Sequence, residues 1–260
     1  MFLAHKRFGG DITVWNPSTD AHRRIPLHGD SLMFDHLYGV GYEESRDDYL
    51  IVKIRLDGPQ IQVFSLKTNV ASFVHGVDVT NVDYGHNPIA GGGLLLNESL
   101  HWLVFSRATQ LHVVLAFDLI HRSLFEIPLS PDLTTELTQK QYHLNVMGGY
   151  LCLCYQGRDD KCENAQIWMM KEYKVPSSWT KSFVLRFAII SYKYIQFYPI
   201  CFTRCGGLFG SSGYGGLMKF NDKVHIDEWR TYFPYNDFVS PHDLYRESLL
   251  SLPSGVDEAN

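Results

Sequence analysis

Short apolar runs that end at an aromatic residue and continue into a polar turn recur along this chain. The first is "ITVWNPST", in which apolar and β-branched residues lead to Trp15. Asn and Pro follow, and both favour turns, because Asn bonds its own backbone and Pro fixes φ without offering an N–H donor. The next segment, "DAHRRIPL", is polar and then apolar again. This pattern predicts a β-hairpin.

The same strand–turn–strand pattern returns in four further segments. They are "QVFSLKTNVASF" (62–73), "LAFDLIHRSLFEIPL" (115–129), "QIWMMKEYKVPSSWTKSF" (166–183) and "LMKFNDKVHIDEW" (217–229). The aromatic residues that mark the five hairpins are Trp15, Phe64, Phe117, Trp168 and Phe220. Their spacings are 49, 53, 51 and 52 residues. A period of about 50 residues is typical of a kelch-type propeller blade.

Additional strands precede the hairpins, in "GGLLLNESLHWLVF" (92–105) and "MGGYLCLCYQ" (147–156). Four strands per unit predict an all-β fold of four-stranded propeller blades. The first hairpin begins so early that we expect the first blade to be incomplete. Segment 130–142 favours at most one turn of helix. The pattern predicts one propeller domain over residues 1–252 and a polar tail over 253–260.

Seven segments of the chain, taken in order, also match the signature of a known family. They are "ITVWNPSTDAHRRIPL", "YGVGYEESRDDYLIVKI", "VFSLKTN", "LNESLHWL", "AFDLIHRSLFEIPL", "IWMMKEYKVPSSWTKSF" and "YRESLLSL". Together they span residues 12–252. In these segments the chain resembles the F-box associated domain of plant F-box proteins, of the kelch-like interaction type.

The resemblance implies a protein-interaction module that is not itself an enzyme. Such domains recruit a protein target to an SCF-type (Skp–cullin–F-box) ubiquitin ligase, and an N-terminal F-box binds the Skp-type adaptor and, through it, the cullin. We expect that F-box to be absent from this chain. The alternatives are a propeller enzyme similar to the copper radical oxidases, which needs clustered His and Tyr ligands, and a sugar-binding propeller, which needs exposed Trp and Asp in every repeat.

Composition narrows the choice of partners and compartment. A net charge of −5 gives no electrostatic basis for binding nucleic acid or an anionic membrane, so we expect neither. The five cysteines are an odd number, which is typical of a reduced protein and predicts the cytoplasm or nucleus. No motif predicts a cofactor or a metal.

Four local motifs could suggest chemistry, and each has a simpler interpretation. The glycine-rich "CGGLFGSSGYGG" (205–216) lacks the Lys of a phosphate loop and predicts a flexible turn. Cys152 and Cys154 alternate in an apolar strand, so we expect both thiols to lie in the core. His101 lies in an apolar run and predicts a core histidine. The charged "ESRDD" (44–48) predicts a solvated hairpin loop rather than a cation site.

One aromatic segment is the sequence's candidate for partner binding. "WRTYFPYNDF" (229–238) contains Pro and Asn and therefore predicts a loop. Large aromatic residues and Arg are the usual anchors of protein interfaces. The candidate anchors are Trp229, Arg230, Tyr232, Phe233 and Tyr235. Burial in the core is the open alternative for the same side chains.

Overall fold

The computed structural model of the chain describes twelve stretches of residues. They are 2–5, 11–16, 18–26, 36–56, 60–75, 82–83, 92–136, 141–158, 163–187, 197–212, 216–223 and 226–231. The chain divides into two compact units, one made of residues 1–110, 115–126 and 245–260 and the other of residues 111–114 and 127–244. Each unit is described by itself below.

The first sheet has three antiparallel strands among the described residues. They are β1 (Phe2–His5), β2 (Asp11–Asn16) and β3 (Ala21–Pro26). Ile12 and Val14 of β2 are fully buried, and they alternate with Thr13 and the exposed Trp15. The alternation of the apolar run thus becomes one buried and one outward face of a strand. Three strands are thus seen in this sheet among the described residues, and the incompleteness of the first blade stays a prediction.

The second and third sheets have the predicted four strand positions per blade. The second consists of β4 (His36–Glu43), β5 (Asp48–Arg55), β6 (Ile61–Ser65) and β7 (Ala71–Val74). The third consists of β8 (Val82–Asp83), β9 (Gly92–Leu96), β10 (Ser99–Ser106), β11 (Leu111–Asp118) and β12 (Ser123–Pro128). Because β8 and β9 both pair with β10, the first strand position of this blade is split in two.

A parallel pairing joins these two sheets. β4 and β9 pair in parallel, with Tyr38 opposite Gly92 and Gly39 opposite Gly93. All other neighbouring strands whose register is known among the described residues are antiparallel. The second and third blades therefore share one continuous ladder of backbone hydrogen bonds.

The second unit contains the remaining two blades. The fourth sheet consists of β13 (Gln141–Met147), β14 (Tyr150–Arg158), β15 (Glu163–Met170) and β16 (Trp179–Phe187). The fifth consists of β17 (Phe197–Phe202), β18 (Leu208–Ser212), β19 (Gly216–Phe220) and β20 (Ile226–Thr231). A short helix, α1 (Pro131–Glu136), lies where the sequence predicts a helical turn. Within the described stretches, no helix is long and apolar enough to cross a bilayer.

The five aromatic markers occupy equivalent places in the five sheets. Each lies among the last three residues of the strand that enters the last hairpin of its sheet; these strands are β2, β6, β11, β15 and β19. The repeat predicted from their spacing is therefore confirmed, and so is the all-β, propeller-like fold of four-stranded blades.

The residue after the marker closes the turn in four of the five hairpins. In each case a side-chain oxygen accepts a hydrogen bond from a backbone N–H two or three residues ahead, as in Asx and Ser/Thr turns. The bonds are Asn16 Oδ1 to Ser18 N at 3.1 Å, Ser65 Oγ to Thr68 N at 3.0 Å, Asp118 Oδ1 to Ile120 N at 2.9 Å and Asn221 Oδ1 to Lys223 N at 3.0 Å. The hairpin of the fourth sheet differs, because its turn is longer.

Each unit has its own hydrophobic core. In the first unit, Ile12, Val14 and Ile25 of the first sheet pack with Ile51 and Leu66 of the second. In the second unit, the apolar faces of the fourth and fifth sheets pack together, and the buried members include Met147, Cys152, Cys154, Ile167, Phe197, Leu208, Met218 and Phe220. The apolar residues that alternate along the strands therefore form the layers between neighbouring blades.

The prediction of a flexible turn over 205–216 is wrong for residues 208–212. Its central residues Leu208–Ser212 form strand β18, which pairs with both β17 and β19, and a turn closed by the Thr203 N–H and the Gly207 carbonyl precedes this strand. A Cβ on Gly207 would collide with the Phe220 carbonyl oxygen, and a Cβ on Gly210 would collide with the Phe197 ring. Gly210 lets the ring approach closely within strand β18, whereas Gly207 lets the Phe220 backbone approach at the turn just before that strand.

Candidate protein-interaction surface

The two alternating cysteines belong to the core. Cys152 and Cys154 lie on β14, are fully buried and face the apolar side chains of the fifth sheet. Burial raises the pKa of the Cys152 thiol to about 12 and that of Cys154 still further. Both thiols stay protonated at neutral pH, so neither is a nucleophile or a ready metal ligand. The predicted core role is confirmed.

His101 is also a core residue, as predicted. Its side chain on β10 is fully buried, and its ring Nδ1 lies 3.1 Å from the Leu94 carbonyl oxygen of β9. The hydrogen bond satisfies the ring within the sheet. Throughout the described stretches, no three His, Cys, Asp or Glu side chains lie close enough together to hold a metal ion.

The charged segment 44–48 forms a solvated turn that rests on two buried carboxylates. Residues 44–47 are exposed, and a 3-10 turn (Glu44–Arg46) connects β4 to β5. Glu43, only 1% exposed, receives the Arg122 guanidinium at 2.7 Å and that of Arg46 at 3.2 Å. Asp48 is buried and accepts a hydrogen bond from the Lys67 backbone N–H at 2.9 Å. The Glu43 and Asp48 carboxylates therefore bond side chains and backbone of neighbouring strands and turns.

The predicted partner-binding segment 229–238 is only partly described. Trp229 and Arg230 lie within β20, where they pair with two residues of β19. The prediction that the loop begins at residue 229 is therefore wrong, because the ladder with β19 continues to Thr231. Tyr232, Phe233 and Tyr235 lie outside the described residues. The role of the segment in partner binding stays a prediction.

The fourth sheet carries an elaborated turn between β15 and β16. Ser178 organises it, because the Glu172 N–H donates to Ser178 Oγ at 3.0 Å and the Ser178 hydroxyl lies 2.7 Å from the Val175 carbonyl oxygen. The Lys171 N–H donates to the Ser178 carbonyl at 3.2 Å. Lys174 has a positive φ of 65°. The turn is thus closed by its own hydrogen bonds.

Lysines of this turn lie over aromatic rings. The Lys181 Nζ lies 5.1 Å from the centroid of the Trp168 ring, and the Lys171 Nζ lies 5.2 Å from that of Tyr150. The Lys174 Nζ lies 5.3 Å from the centroid of the adjacent Tyr173. Distances below about 6 Å allow cation–π attraction, which holds the ammonium groups in place at the surface. We call residues 171–181, with Tyr150 and Trp168, the lysine–aromatic turn.

Two buried tryptophans, on β15 and β16, lie on the face of the ladder that also carries Lys181. Trp168 is 7% exposed and Trp179 is 4% exposed. Neither indole nitrogen has a hydrogen-bond partner among the described residues. Buried donors are normally paired, so two such donors on neighbouring strands are unusual.

The lysine–aromatic turn is not among the predicted sites of the sequence. A signal was available, because the fourth hairpin segment is the longest of the five and carries Lys171, Lys174 and Lys181 among its aromatic residues. The contacts between lysines and rings depend on side chains from both β14 and β16, so the pattern along the chain alone could not predict them.

Comparison with known proteins agrees with the fold. The family model of the F-box associated beta propeller domain matches residues 1–216. "F-box protein CPR1" of Arabidopsis thaliana is 29% identical over 222 residues, which cover 75% of this chain and 52% of that protein. "F-box/kelch-repeat protein At3g23880" of the same plant is 23% identical over 184 residues, which cover 68% of this chain and 48% of that protein.

Among solved structures, the chain is similar to BamB from Moraxella catarrhalis at 11% identity and a TM-score of 0.40, covering 86% of this chain and 59% of that one. The chain spans about half the length of the plant relatives that it matches. The five hairpins, the four-stranded blades and a family match over most of the sequence agree with one another. The chain therefore belongs to the family of F-box associated β-propeller domains.

Proposed function

We propose that this chain recruits a protein target for ubiquitination by an SCF-type ligase. This proposal is supported by the family match over residues 1–216, together with relatives whose names identify them as F-box proteins. F-box associated domains are substrate-interaction domains. In this proposal the chain supplies target recognition, and a Skp-type adaptor and a cullin join through an F-box that belongs to the same working protein.

The proposed role is recognition rather than catalysis. The two buried thiols are protonated core groups, and His101 is held by a backbone carbonyl, so these residues offer no nucleophile or base. The four described cysteines are free thiols, which supports a reduced compartment, the cytoplasm or the nucleus. Protein targets, with no role for nucleic acid or membrane, are the partners in this proposal.

A chimera tests the proposed function. An F-box segment from one of the relatives is fused to the N-terminus of the chain and expressed with an affinity tag in plant cells. With the proteasome inhibited, we expect adaptor and cullin to co-purify, together with at least one ubiquitinated protein that the tagged chain alone also binds. The F-box segment without the chain is the control, and it should recover adaptor and cullin only. A chimera that assembles the ligase without any chain-dependent ubiquitinated protein contradicts the proposal.

The segment 229–238 remains our proposed contact with the target. Central aromatic anchors of an interface contribute about 2 kcal/mol or more each, so Tyr232→Ala combined with Phe233→Ala should weaken target capture at least tenfold. Phe73→Ala removes an aromatic ring that is 52% exposed on another sheet and serves as the matched control. Pull-down and thermal melting are measured on the same proteins. A double variant that melts much earlier would place these rings in the core.

A further inference from the structure

The lysine–aromatic turn carries positive charge on an acidic protein. Residues 171–181 contain three lysines and one glutamate, whereas the whole chain has a net charge of −5. Lys171 and Lys181 contact only aromatic rings and the Met169 sulfur among the described residues, without a carboxylate partner. Their ammonium groups are therefore held at the surface by contacts that a carboxylate can supplement.

The backbone of the turn is closed before any partner arrives. Ser178 bonds to both arms of the turn, and the Val175 N–H donates to the Glu172 carbonyl at 3.1 Å. The side chains of Tyr150 and Val175 are 37% and 36% exposed beside the lysines. A site whose backbone and rings are already ordered loses less conformational entropy on binding. The turn thus presents apolar surface and positive charge together.

The two indole N–H groups give a second, independent indication. Trp168 and Trp179 are both more than nine-tenths buried, and their donors lack an acceptor among the described residues. The Lys181 ammonium lies over the Trp168 ring. The positive charge of Lys181 and the unsatisfied donor of Trp168 therefore lie at the same ring, and an anionic group complements the exposed ammonium.

We propose that the lysine–aromatic turn binds an acidic segment of a protein partner, in which carboxylates lie next to an apolar side chain. The proposal rests on the proposed function, because that partner is the recruited target. Several lysines spread along one turn suit several carboxylates of an extended segment. A single phosphate group is more often bound by the bidentate guanidinium of Arg, and residues 171–181 contain no Arg.

Binding of defined peptides to the full chain tests this proposal. The probe is a short fluorescein-labelled peptide in which Glu alternates with Ser and Phe. In the first comparison peptide, Gln replaces Glu. The second comparison peptide is the Gln peptide with phosphoserine in place of Ser. Fluorescence anisotropy is measured at about 0.1 M salt, where charges interact over about 10 Å. We expect the Glu peptide to bind at least tenfold more tightly than either comparison peptide. Absent or equal binding of the Glu and Gln peptides, or tighter binding of the phosphopeptide, overturns the proposal.

Charge-matched variants locate the binding. Lys171→Ala with Lys181→Ala should weaken binding of the Glu peptide about tenfold. Arg24→Ala with Lys67→Ala removes the same charge from exposed positions on the first two sheets and should leave the affinity unchanged. Equal weakening in both variants indicates long-range attraction by net charge and overturns the proposal. Lys171→Gln with Lys181→Gln removes the charges but keeps much of the packing over the rings. If this variant loses as much affinity for the Glu peptide as the double alanine variant, a folding defect is excluded as the cause.

The chimera separates failure of this proposal from failure of the proposed function. If the wild-type chimera produces a chain-dependent ubiquitinated protein and the Lys171→Ala, Lys181→Ala chimera produces it equally well, the acidic-segment proposal is overturned and the recruiting function stands. If the wild-type chimera produces none, the recruiting function itself is contradicted, whatever the peptides show.

Discussion

Replacing Trp102 with alanine is expected to lower the free energy of unfolding by about 3–5 kcal/mol, the cost of removing a large buried aromatic side chain. Trp102 on β10 is 1% exposed, and its indole N–H donates to the Tyr38 carbonyl of β4 at 2.9 Å. Its ring packs against Gly93 so closely that a Cβ there would lie 2.6 Å from Cζ2. Trp102 therefore fills the space above the parallel junction between the second and third sheets.

Two further variants separate the contributions of volume and hydrogen bonding. Trp102→Phe keeps most of the ring but leaves the Tyr38 carbonyl without its donor, so we expect a smaller loss of about 1–3 kcal/mol. Trp15→Ala is the matched control, because Trp15 is 40% exposed and its N–H bonds to the exposed Asp20 side chain at 3.2 Å. Urea unfolding followed by circular dichroism measures all three. Equal losses for Trp102→Ala and Trp15→Ala would contradict the importance of the junction.

The positions of the hairpins could be predicted because their causes are local. Trp15 and Phe117 each precede a residue whose side chain caps the turn, and the alternation of apolar residues before them has the period of a strand. Burial of the two markers could not be predicted in the same way. Trp15 is 40% exposed and Phe117 is fully buried, since burial depends on what packs over each sheet. Equivalent positions in a repeat therefore differ in energetic importance.

The errors have a common physical origin. Gly210 resembles a turn residue along the chain, but it lies in β18, where close packing against the Phe197 ring of the same sheet requires it. Trp229 and Arg230 resemble the beginning of a loop because Pro234 follows, but pairing with β19 holds them in a strand. In each case a contact between distant residues decides the local structure, and single-sequence patterns do not contain that contact.

The same reason limits what could be predicted of the site. Lysines and aromatic residues are visible in the fourth hairpin, but the position of Lys171 over Tyr150 requires the pairing of β14 with β15. The missing acceptors of Trp168 and Trp179 are likewise a property of the packed sheet. Contacts between lysines and rings and unpaired indole donors can therefore be recognised only once the pairing of the strands is known.

Lowering the pH from 6.5 to 4 is expected to destabilise the protein through His143. This residue lies on β13 opposite Cys154, its ring centroid is 5.1 Å from that of Tyr198, and its Nε2 is buried without a partner among the described residues. Burial lowers the pKa of His143 to about 4, whereas an unfolded histidine has a pKa near 6.5. Between these values the unfolded state binds a proton that the folded state does not, so stability falls as the pH falls, by about 3 kcal/mol in total.

His143→Phe should remove this part of the acid sensitivity. Phenylalanine keeps a ring against Tyr198 and carries no proton, and burial raises the pKa values of Tyr198 and Cys154, so both stay neutral in this range. We expect the variant to equal or exceed the wild type in stability at pH 7, because a buried unpaired nitrogen is gone, and to lose less stability by pH 4. His75→Phe, at an exposed position, is the control and should follow the wild-type pH profile. Urea midpoints measured from pH 7 to pH 4 decide the matter: parallel profiles for wild type and His143→Phe would mean that the protonation of His143 is not coupled to folding.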